Sequence, residues 1–77
     1  MNAVLPILCA AQASGDMTIN AMFASSTQFT IQFTLFHEGK PLVMGQRTFL
    51  AHVHFEDKED LIEELWLTKN MAEISIT

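Results

Sequence analysis

Between residues 28 and 36 apolar and polar side chains alternate without a break, Phe29, Ile31, Phe33 and Leu35 against Gln28, Thr30, Gln32 and Thr34. A period of two puts the first set on one face of a β-strand and the second on the other. Residues 17–23 alternate in the same way, with Met17, Ile19, Ala21 and Phe23 in phase and Thr18 and Asn20 opposite. Ser25, Ser26 and Thr27 between the two runs read as a turn. A second turn is expected over residues 37–41, where Gly39 can take positive φ and Pro41 cannot donate to a ladder. The third strand is expected over residues 42–55. Its second half alternates, with Phe49, Ala51, Val53 and Phe55 inward, Thr48, His52 and His54 outward, and Leu50 the exception. Its first half fits less well, because Arg47 falls on the nominally buried face. Gly45 is expected to mark a bulge that shifts the phase.

The period then changes. Asp57 is placed to cap a helix, its carboxylate accepting free amide hydrogens of the first turn. Leu61, Ile62, Leu65 and Trp66 follow at i, i+1, i+4 and i+5, which at about 100° per residue makes one apolar stripe. Lys58 and Lys69 flank the stripe and can lay their stems along it, and Asn70 is a candidate stop. Residues 72–77 alternate once more and read as a closing strand. Near the N-terminus, Pro6 and Gly15 suit a short helix over residues 7–13. Residues 4–9 fit a buried strand as well, since short apolar runs do not separate the two; the helix is preferred. The expected fold is α+β: an antiparallel β-meander of three to four strands, one acidic amphipathic helix packed on one face, and a short N-terminal helix. All 77 residues form one small domain in this reading.

Composition narrows the function. Half the chain is apolar, 49%, which sets it apart from disordered chains. Nine carboxylates against four bases give a net charge of −5, which argues against direct binding to nucleic acid or an anionic membrane, since both need Lys and Arg. It suits a larger basic protein or ribonucleoprotein partner. Ala11, Gln12 and Ala13 imitate a signal cleavage site, but no Lys or Arg precedes Lys40 and Pro6 interrupts the apolar run, so a secretory signal is disfavoured. Cys9 is the one cysteine; a lone thiol fits a reducing, cytoplasmic setting and is expected to be a small buried hydrophobe. No segment is long enough to span a bilayer as a helix.

Candidate chemistry is sparse. His52 and His54, at i and i+2 of an expected strand, share a face, yet zinc needs three or four ligands and no complete set has motif spacing. No metal or other cofactor is therefore expected. There is no G-x-S-x-G, phosphate loop or H-E-x-x-H, so no catalytic residue is assigned and the chain is read as a non-enzyme. The first candidate binding surface is the acidic helix face, Glu59, Asp60, Glu63 and Glu64, with Leu67 as an apolar anchor. Such an array can imitate a phosphate track, although a solvated helix face also has to be polar. The second is the outer sheet face of Gln28, Thr30, Gln32, Thr34, His52 and His54. Few charges guard that face or its edges, and a homodimer formed there would support a marginal core.

The order of elements resembles some very small phage-encoded type I anti-CRISPR proteins. The resemblance rests on the two alternating runs over residues 17–36, the turn at Glu38, Gly39 and Lys40, and a helix opened by Phe55, Asp57 and Leu61. It covers roughly residues 17–68, by element order and without a signature motif. It implies a non-enzymatic inhibitor that blocks the basic RNA- or DNA-binding surface of a CRISPR effector complex. A structural or self-assembling accessory protein, homo-oligomeric through the sheet face or an edge strand, is the other reading.

Overall fold

The computed structural model describes residues 4–67 together with the backbone of 72–73. Its elements run α1 (Leu5–Ala13), β1 (Met17–Ala24), β2 (Gln28–His37), β3 (Lys40–Leu50), α2 (Lys58–Trp66) and β4 (Ala72–Glu73). The sheet is antiparallel in the order β1-β2-β3-β4, and both helices pack on one side of it. The α+β meander is thus the fold, with the N-terminal helix present. Of the expected closing strand, Ala72 and Glu73 pair with Met44 and Val43. Lys69, Asn70 and residues 74–77 lie outside the described residues.

The apolar half of β2 is the centre of the core. Phe29, Ile31, Phe33 and Leu35 are all but inaccessible to solvent, and so are Leu61 and Leu65 of the α2 stripe. Ile62 and Trp66 pack against the same cluster half-buried. Phe49 lies beside Phe29 with ring centroids 5.5 Å apart, and Phe55 meets Phe49 edge-on at 5.3 Å. Val4, the N-cap of α1, and Leu8 and Ala11 within it recur at i, i+4 and i+7 and turn inward, a spacing that puts them on one helix face. That rotation turns Cys9 outward, so the thiol is exposed where the sequence reading had it buried. Gly15, φ +82°, follows α1 in the left-handed conformation that ends many helices.

Three departures from the expected strands have local causes. In β1 the pairing passes from Ile19 opposite Phe33 to Ala21 opposite Gln32, so Asn20 is an extra, bulged residue. A one-residue slip reverses every later side chain. Met22 and Ala24 now share the core side with Ile31 and Phe29, and Phe23, expected inward, stands on the outer face with 61% of its surface exposed.

In β3 the pairing is continuous from Val43 to Leu50, with Gly45 opposite Phe33 and Arg47 opposite Ile31. Gly45 therefore marks no bulge, and Arg47 does lie on the core side. The irregularity falls instead at Leu42, next to Pro41, where the ladder slips by one residue. The turn before it holds both Glu38 (φ 52°) and Gly39 (φ 79°) at positive φ, the geometry of a two-residue hairpin loop.

Finally, β3 stops at Leu50. Its partner β2 begins at Gln28, which faces Leu50, and a strand with no neighbour has no ladder. The Ala51 amide donates to Thr27 O at 2.9 Å and the Val53 amide to Leu50 O at 3.0 Å, closing a turn. His52 and His54 accordingly sit in an exposed turn and loop rather than on a strand.

Candidate functional site

The residues around α2 form one charged layer. Asp57, extended at φ −158°, accepts the Asp60 amide at 3.0 Å. The Asp60 carboxylate in turn accepts the Glu56 amide at 3.1 Å. One orphan donor of the first turn and the amide just ahead of the cap are thereby satisfied by two neighbouring carboxylates. Lys58 bridges Glu59 at 2.9 Å and Asp16 at 3.4 Å. Asp16 also accepts the Ser14 hydroxyl at 2.6 Å. That hydroxyl first, and Lys58 second, hold the Asp16 carboxyl below the ordinary carboxylate range. The Glu59 carboxylate raises the Lys58 ammonium above its usual value and is itself lowered by it.

On the other flank, Arg47 reaches from the core side of β3 across Phe49, its guanidinium 5.0 Å from the ring centroid. It donates to Glu64 O at 2.9 Å and to the Glu64 carboxylate at 3.2 Å. The misfit of Arg47 in the strand pattern is explained: the stem covers apolar surface and the head pairs with the helix.

Of the expected acidic contact residues, Glu59, Asp60, Glu63 and Glu64 all lie on this layer, and Leu67 projects from its end 66% exposed. They are not equivalent. Asp60 and Glu64 are engaged in holding the helix start and Arg47, while Glu59 and Glu63 are exposed. Sequence reasoning missed Asp16, which is distant in sequence and joined to the layer only through Lys58. Glu56, the first residue of the acidic run in the sequence, stands at the helix entrance with its amide bonded to Asp60.

The charge distribution is the main feature. Asp16, Glu56, Asp57, Glu59, Asp60, Glu63 and Glu64 are seven of the nine carboxylates, set against Arg47 and Lys58. They leave five negative charges, the chain's whole net charge; Glu38 and Glu73 cancel Lys40 and Lys69.

Among the described residues the outer sheet face carries no charge. Its rows, read from β1 across β3, are Thr18, Thr34 and Met44; Ala21, Gln32 and Gln46; Phe23, Thr30 and Thr48; then Gln28 and Leu50. Its polar groups bond to one another across strands: Thr30 to Thr48 at 2.7 Å, Gln32 to Gln46 at 3.0 Å, and Asn20 to Thr34 at 2.9 Å. Thr34, expected exposed, is buried beneath that last bond. His52 and His54 do not belong to this face, since the strand that would carry them ends before them.

An open cleft of about 330 Å³ lies between the end of β3, the loop after it and α2, lined by Arg47, Phe49, Val53, His54, Phe55, Asp60 and Glu64. The His54 imidazole is 3.8 Å from the Glu56 carboxylate. Among the described residues no three His, Cys, Asp or Glu side chains are grouped to hold a metal ion, and no helix is long and apolar enough to cross a membrane. Compared with protein-family models, curated proteins and solved structures, the chain matches none.

Proposed function

We propose that this chain is a small, non-enzymatic binding protein whose acidic α2 layer docks on a basic surface of a larger nucleic-acid-handling protein or ribonucleoprotein. The observation that supports this reading is the segregation of charge among the described residues, with seven carboxylates and two bases on one layer and no charge on the opposite face. A field concentrated in this way orients the molecule as it approaches a positive partner and raises the encounter rate. An inhibitor of the anti-CRISPR kind is the specific form, competing with RNA or DNA for the same cations.

The test separates location from net charge. Glu63→Lys and Glu38→Lys bring the chain to the same net charge, one on the layer and one in the β2–β3 turn. Binding to an immobilised arginine-rich RNA-binding peptide, with RNA as competitor, is measured across a salt series. Glu63→Lys should lose at least tenfold in affinity and Glu38→Lys less than threefold, with unchanged circular dichroism in both. Equal losses would reduce the effect to overall charge and remove the α2 layer as the contact.

A further inference from the structure

The face opposite the acidic layer is built to be covered. Burying a polar group is costly only when it loses its partners, and here the Thr30–Thr48, Gln32–Gln46 and Asn20–Thr34 bonds are already made within the sheet. These cross-strand bonds also order the side chains in advance, which lowers the entropic cost of docking. Beside them stand exposed large apolar side chains, Phe23 at 61% and Leu50 at 57%. Next to Phe23 is an open hollow of about 190 Å³ whose walls include Gln28, Thr30 and the Phe23 ring itself. A cavity of about 150 Å³ accommodates a benzene ring, so the hollow has room for a phenyl side chain.

From this geometry we infer that the outer sheet face is a two-fold interface with a second copy of this chain, each Phe23 ring entering the hollow beside the other's. A knob and a matching hollow on one patch are what an isologous contact requires, because both copies present the same surface. Charge selects the same occupant. A chain of net charge −5 repels its own copy wherever carboxylates would meet, and this face has none among the described residues.

The β1 edge of the sheet is a poorer route to pairing. The Ile19 amide on β1 is taken by the Gln12 side chain at 3.1 Å, and the Asn20 bulge interrupts the strand, both devices that discourage edge-to-edge addition. Strands of 8 to 11 residues, three abreast, offer a footprint of about 400–500 Å². That is below the roughly 800 Å² per partner of a standard stable interface. The dimer is therefore reversible and concentration-dependent. This inference is independent of the acidic layer.

Sedimentation equilibrium from micromolar to millimolar concentration tests it. The mean mass should rise from 8.6 kDa toward twice that value, and added salt should not reverse the rise. Phe23→Lys should hold the chain at monomer mass at least tenfold further up the concentration range. Leu50→Glu, on β3 and away from the β1 edge, should do the same and serves if Phe23→Lys melts early. Glu63→Lys, on the acidic layer, should leave association no weaker. A monomer at every concentration overturns the inference and leaves the face to a partner of different sequence. A dimer that survives Leu50→Glu overturns it in favour of pairing through the β1 edge.

Discussion

Asp16 accepts a hydrogen bond from the Ser14 hydroxyl and sits beside the Lys58 ammonium, so its carboxyl loses its proton more readily in the folded chain than its ordinary value of 3.8 would give. The unfolded chain then binds more protons than the folded one over the interval between the two values. This contribution to stability is complete above the unfolded value and is lost as the pH falls through the lower folded one. Ser14→Ala removes the first cause and should move the Asp16 titration back up toward its ordinary position, read from the side-chain carboxyl carbon by NMR; an unmoved titration would show that Ser14 has no such role. The Lys58 part of this was not visible in the sequence, because that partner is 42 residues away. Asp57 was legible for the opposite reason. A cap acts within its own turn, and an aspartate just ahead of an apolar period is a local signal. Arg47 lay between the two: its position on the core side was legible and its reason was not, since Glu64 reaches it through the fold.

At the scale of elements, β2 was read with its register intact because it is paired on both sides and its inner face is wholly buried, conditions that enforce strict alternation. Strands β1 and β3 are bounded by neighbours the sequence does not display. Residues 17–23 keep apolar side chains at every second position, yet the bulge at Asn20 reverses the last two of them and turns Ala21 and Phe23 out. The adjacent Met22 and Phe23 were the only hint, one of them having to face water. The length of β3 is set by where β2 begins, so the alternation that runs on to Phe55 describes side-chain direction along a turn rather than a strand. This account makes a prediction for β1. With Asn20 deleted, the remaining residues alternate in one register, Met17, Ile19 and Met22 inward and Phe23 still outward. The variant should fold with a near-native far-ultraviolet spectrum and retain the exposed Phe23. It should also aggregate faster on heating, as light scattering would record, because a regular edge strand accepts further strands more readily than a bulged one. A variant that fails to fold would show instead that the bulge is needed to seat Met17 and Ile19.

Across the whole molecule, the acidic layer carries a cost that the fold alone does not require. Glu59 and Glu63, like Asp60 and Glu64, stand four residues apart on α2. Like charges at that spacing destabilise a helix by roughly 0.2–0.5 kcal/mol per pair. No basic residue occupies the last turn of α2, where one would favour the helix dipole. A domain of 77 residues has only about 4–12 kcal/mol of net stability, so these terms are not negligible. Surfaces kept at a cost in stability are characteristic of function, which gives the acidic layer a claim that polarity by itself does not. Glu63→Gln tests the claim, since Glu63 is exposed and neither Asp60 nor Glu64 depends on it for the bonds described. The substitution should raise stability by a few tenths of a kcal/mol in urea titrations at low salt, a gain that disappears at high salt as screening removes the repulsion. The same substitution should weaken attachment to the arginine-rich peptide, so that stability and affinity move in opposite directions. A loss of stability would instead make Glu63 part of the folded framework, and the layer would then be explained by the fold.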